Sequence, residues 1–134
     1  MIIKSKEKIN VNGKNKPVWV LDTDALTVTH NSASAEPSVT AFSSDHIRYH
    51  LHYRAEYHKS RLKKLVDNGE IKNYLEELDI NVTNEIIKQT NTTLENDKDY
   101  HNALAVGDLR TANGLKNMIR LCVKDVVFEY MVYI

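Results

Sequence analysis

Val39-Thr40-Ala41-Phe42-Ser43-Ser44-Asp45-His46-Ile47-Arg48-Tyr49-His50-Leu51 is where the chain changes its hydrophobic period. Up to Phe42 the apolar residues sit in short, alternating runs, and Val39–Phe42 reads as a short extended piece. After Ser43 they recur at spacings of three and four. Ser43 or Ser44 can cap a helix with its hydroxyl, and Asp45 suits the positive end of the helix dipole. Ile47, Leu51, Ala55, His58, Leu62 and Leu65 then share one face. The first helix is therefore expected to run to Asn68-Gly69, where the glycine supplies a left-handed cap. This switch predicts an α+β fold, with a β part over 1–42 and a helical part over 43–134 of a single domain.

Upstream, Lys8–Val11 reads as a strand and Asn12-Gly13 as a hairpin turn, since both residues tolerate positive φ. Pro17–Leu21 reads as the return strand, opened by a proline suited to an edge. Asp22-Thr23-Asp24 turns the chain. Ala25–His30 alternates like a half-buried strand, and Asn31–Ser38 is a polar loop. The N-terminal part is thus an antiparallel β-hairpin or small sheet.

Downstream, Glu70 opens a second helix with the stripe Ile71, Leu75, Leu78, Val82, Ile86 and Leu94, fraying or breaking in the polar Asn84–Asp99 region. A third spans about Leu109–Tyr130, with Ala112, Leu115, Ile119, Val123, Val126, Val127 and Tyr130 on one side. Gly107-Asp108 is its cap or a bend in a longer helix. Two to three long helices that run to the last residues predict dimerisation through helices.

The 134 residues fit one domain. Eighteen Lys and Arg balance eighteen Asp and Glu, which argues against general duplex binding and leaves self-association unopposed. The single cysteine, Cys122, sits in an apolar stretch and is expected to be a buried thiol in a reducing cytoplasm. Met1-Ile2-Ile3-Lys4 opens no signal peptide, and no run approaches the roughly 20 apolar residues of a membrane span.

Motifs for nucleophilic, phosphate-loop, dinucleotide or zinc-protease chemistry are missing, so a non-enzyme without a cofactor is expected. His46 and His50 have zinc-pair spacing but no third ligand at a suitable angle, so the bland reading is a polar helix flank. Arg48, Arg54 and the Lys59–Lys64 run mix with tyrosines. The Lys59–Lys64 run is a solvated face, and Arg48 and Arg54 make i,i+4 surface pairs or stack on tyrosines; the alternative is a surface for nucleic acid. Trp19 is a core or interface residue, or a stacking platform. The most suggestive stretch is Gly107–Asn117. Arg110, Asn113 and Asn117 share a helical flank; the arginine fork matches phosphate, and the amides offer the donors and acceptors of a base edge. Gly114 marks the close approach of a ligand or of a crossing helix.

Tyr53–Asp79 is similar in register to the TnpV-like small proteins encoded by transposons of low-GC bacteria. It has their tyrosine, a leucine pair before a glycine, then Leu75-Glu76-Glu77-Leu78-Asp79. Asn117-Met118-Ile119-Arg120 through Val132-Tyr133 resembles their tail. This resemblance implies residence on a mobile element and an accessory protein that binds protein or nucleic acid. The overall layout, with its Val18-Trp19-Val20 hairpin and the polar Arg/Asn stretch on the last helix, also resembles phage anti-Thoeris sponge proteins of the first-described Tad type. That resemblance implies a homodimer or higher homo-oligomer in the bacterial host cytoplasm. It would bind a cyclic ADP-ribose isomer without cleaving it, through Arg110, Thr111, Asn113, Asn117, Trp19 and Arg54. It departs from that group in the scarcity of aromatics beside Arg110.

Overall fold

The computed structural model describes residues 1–33 and 36–134. The protein is α+β: an N-terminal antiparallel β region followed by helices. Of the predicted Asn31–Ser38 loop, Ser34 and Ala35 lie outside the described residues.

Asn12 (φ 53°) and Gly13 (φ 81°) both take the left-handed conformation, which gives a two-residue turn whose twist matches the strands. That turn sets Val11 opposite Lys14 and Lys8 opposite Pro17, so the hairpin joins β2 (Lys8–Val11) to β3 (Lys14–Pro17). The expected return strand Pro17–Leu21 is therefore corrected. Proline, which cannot donate to a ladder, closes β3. Trp19 then starts a separate strand, β4 (Trp19–Asp22).

Strand β4 belongs to a four-stranded antiparallel sheet with β1 (Ile2–Lys4), β5 (Thr27–His30) and β6 (Ser38–Ala41), in the order β1-β4-β5-β6. The first of these is too short to read from its sequence. The turn between β4 and β5 is held by Asp22, whose Oδ1 accepts the main-chain N–H of Ala25 and of Asp24, each at 3.0 Å. These two donors, Ala25 first, hold the Asp22 carboxyl below the usual carboxylate range.

The expected first helix is two. α1 covers Asp45–Tyr57, and α2 covers Lys59–Asp67. His58 departs from helical geometry (φ −139°, ψ 44°), and its N–H is the last to bond back, to the Arg54 carbonyl at 2.8 Å. The break redirects α2 onto β1 and β4. There Lys63 donates to the Lys4 carbonyl and, at 2.9 Å, to Asp67, which also accepts the Lys6 N–H at 2.9 Å.

α3 runs unbroken over Ile71–Glu95, so the break expected within Asn84–Asp99 falls near the end of that region. Its polar side chains close onto the helix itself: Thr92 and Thr93 donate to the carbonyls of Lys88 and Gln89, at 3.0 and 2.8 Å. The chain breaks only at Asp97, which accepts the Tyr100 N–H at 2.8 Å and opens α4 (Lys98–Ala105), a helix not foreseen. Gly107 (φ 76°) ends α4, with Asp108 N–H on the Ala103 carbonyl and Gly107 N–H on that of Leu104. Asp108 then caps α5 (Leu109–Met131) by accepting the Thr111 N–H at 3.1 Å, so Gly107-Asp108 is an end and a beginning, not a bend.

Contacts divide the chain into two units, 1–79 with 132–134, and 80–131, a boundary inside α3. The first is built round Ile3, Leu21, Leu26 and Val28 of the sheet region, packed with Ile47, Leu51, Leu62, Val66, Ile71 and Leu75 of the helices. The second buries Val82 and Leu94 of α3, Ala103 of α4, and Ala112, Ile119, Val123, Val127 and Phe128 of α5.

Cys122 is exposed, which corrects the expected buried thiol. Its neighbours are apolar, but they line an open cavity of about 370 Å³ with Met118, Ile119, Val123 and Val126. Reaction with a thiol-specific chromogenic reagent in native buffer should reach one equivalent at the rate of a denatured control; protection until unfolding would contradict this exposure.

Candidate functional site

Within the second unit, the first three turns of α5 present the predicted polar flank. Arg110, Asn113 and Asn117 are all exposed, and none makes a hydrogen bond or ion pair among the described residues. Thr111 is different. Its hydroxyl donates to Asp108 Oδ2 at 2.6 Å, and together with the Thr111 N–H this pulls the Asp108 carboxyl below its usual range. Thr111 completes the helix cap and keeps only acceptor capacity for a ligand. Among the described residues nothing lies within 4 Å of a Cβ placed at Gly114, so a crossing helix does not account for it and that alternative is corrected.

The other two expected contacts belong to the first unit, and both have intramolecular roles. Trp19 stacks on its cross-strand neighbour His30, with centroids 4.2 Å apart and planes at 23°. Its indole edge lies against Gly69. The Arg54 guanidinium sits 5.3 Å from the Tyr74 ring centre, and its Nε donates to the Ile134 main-chain oxygen at 3.1 Å.

His46 and His50 were expected on a polar helix flank; the burial of His50 corrects that reading. His46 Nε2 pairs with Asp79, which also accepts from Ser44 at 3.0 Å. His50 is fully buried: Nδ1–H donates to the Val132 carbonyl at 2.7 Å and Nε2 accepts from the Tyr74 hydroxyl at 2.7 Å. Burial pushes its pKa from 6.5 down to about 4, helped by the Arg54 charge and opposed by the bond to Val132. Burial likewise raises the Tyr74 hydroxyl. Among the described residues no group of three His, Cys, Asp or Glu side chains is placed to hold a metal ion.

The basic residues expected on one helix fall on two. Arg54 lies on α1, Lys59–Lys64 lies on α2 beyond the break, and Lys63 is tied to Asp67 and Lys4.

A second hollow in the helical unit, about 310 Å³, is lined by Asn91, Leu94 and Glu95 of α3, Tyr100 and His101 of α4, and Lys116 of α5. Its aromatic wall was not legible in the sequence because α4 was not foreseen. Ile87, Met118, Leu121 and Val126 are large apolar side chains exposed on this unit.

No family model matches the chain, nor does any curated protein or solved structure. Among the described residues no helix is long and apolar enough to cross a membrane.

Proposed function

We propose that this protein is a non-catalytic binder that sequesters a nucleotide-derived signal, a cyclic ADP-ribose isomer, and so blocks bacterial anti-phage defence. The observation that carries the reading is the Arg110–Asn113–Asn117 flank: one guanidinium and two amides, exposed, co-facial and without side-chain partners among the described residues. Arg110 would grip phosphate through two parallel N–H donors. Asn113 and Asn117 would read ribose or base edges, and Thr111 would accept through its remaining lone pairs. Trp19 and Arg54 are withdrawn to supporting roles, since both already have partners in the first unit. Sequestration acts by mass action, so it requires a dissociation constant below the signal level; a nanomolar value is about −12 kcal/mol. A homodimer or higher oligomer is part of this proposal, the second copy closing a flank that is open in one chain.

The test is incubation of the purified protein with cyclic ADP-ribose isomers, separation from free ligand, and heat denaturation. Recovery of intact ligand is the expected result. No retained ligand, or a cleaved product, would refute it.

Exposed apolar side chains of the helical unit favour a second reading, an accessory protein of a mobile element that works by protein association. Ile87, Met118, Leu121 and Val126 are each more than half exposed. It predicts a partner-dependent or concentration-dependent mass with no retained nucleotide.

A further inference from the structure

The geometry points to the hollow between α3, α4 and α5 as the seat of the nucleoside part of that ligand, with Tyr100 as its stacking surface and Lys116 as its phosphate contact. This rests on the nucleotide-binding reading above and adds a site to it. The Arg110 flank lacks an aromatic platform within its own turns, and a flat flank alone encloses no base.

The hollow supplies both. Leu94, 7% exposed, is its apolar floor. Tyr100 is half-buried, and its ring meets His101 edge-on at 5.7 Å. It is held by the helix cap, its N–H being bonded to Asp97 at 2.8 Å. An aromatic face in that setting stacks a base without regard to its identity. His101 is fixed as well: Nε2–H donates to the Glu95 carbonyl at 2.9 Å, which leaves Nδ1 as an acceptor in the neutral ring. The rim therefore presents the Asn91 amide, which both donates and accepts, the Glu95 carboxylate, which accepts ribose hydroxyls or an exocyclic amine, and the Lys116 ammonium. Lys116 makes no ion pair among the described residues. One cation beside one carboxylate suits a ligand carrying both phosphate and N–H or O–H donors, and disfavours a simple polyanion.

Size agrees. A volume of about 310 Å³ lies at the lower end of ligand pockets and holds a nucleoside rather than a whole dinucleotide. Asn113 lies three residues before Lys116, so the two are neighbours on the helix surface; the rim of the hollow borders the polar flank at Asn113, and the phosphates would run from Lys116 along it.

The experiment is calorimetric titration of a cyclic ADP-ribose isomer into the wild type and into Tyr100→Ala, Lys116→Gln and Arg110→Gln. Both hollow variants should weaken binding by at least about tenfold. Because Tyr100 is half-buried, the exposed Lys116→Gln is decisive if Tyr100→Ala fails to fold. Wild-type affinity in Lys116→Gln and in any folded Tyr100→Ala, with loss in Arg110→Gln, would overturn the hollow and leave the sponge reading standing. A wild type that binds nothing would overturn both.

Discussion

Between pH 7 and pH 4 the first unit is expected to lose about 3 kcal/mol of folding stability through one side chain, His50. The ring is neutral in the fold because burial holds its pKa at about 4, against 6.5 in an exposed chain. In that window the unfolded chain binds a proton that the folded chain does not. The stability His50 contributes is thus fully present above about pH 6.5 and declines as pH falls toward 4. The depressed carboxylates Asp22, Asp67 and Asp108 act in the same direction but lower, as pH falls below the ordinary carboxylate value. Urea titrations at pH 7 and pH 4.5 check this. His50→Gln should be less stable at pH 7, since it disturbs bonds to Tyr74 and Val132, yet its stability should vary much less across the window. An unchanged pH dependence in that variant would remove His50 as the cause.

Gly69→Ala carries the second large effect, a loss of about 2–4 kcal/mol. Gly69 has φ +71° and is the left-handed cap of α2, with Glu70 N–H on the Leu65 carbonyl at 2.9 Å. A side chain in that conformation costs about 1–2 kcal/mol by itself. A Cβ there would also lie 2.9 Å from Trp19 Nε1. The indole has little room to yield, being stacked on His30 and anchored by a strand whose Trp19 N–H bonds to Ser5 Oγ at 3.0 Å. A double-mutant cycle with Trp19→Leu separates the two causes. In the leucine background only the backbone cost should remain. Equal losses in both backgrounds would mean that the indole is not what excludes a side chain.

Where local chemistry was decisive, the fold was legible. Asn12-Gly13 announced its hairpin, Gly69 its cap, and the stripes Ile47–Leu51 and Ile71–Leu75 the faces that are buried. What stayed hidden depended on distant partners. Trp19 looked continuous with Pro17, yet its strand mates are β1 and β5. Nothing local marks His58 as a break, because the reason for it is the sheet on which α2 lands. The polar Asn84–Asp99 region looked breakable throughout, but Thr92, Thr93 and Asn96 bond to carbonyls four residues back, and the break comes only after Glu95. For the candidate site, the Arg110 flank follows from spacing alone. The Tyr100–Lys116 hollow does not, since it forms only once α4 folds against α5.

The most direct measurement is native mass spectrometry of the purified protein with an excess of cyclic ADP-ribose isomer. Sequestration predicts oligomer masses raised by one intact ligand per chain, with the same ligand mass released on denaturation. Ligand-free masses, or release of a hydrolysed product, would contradict it.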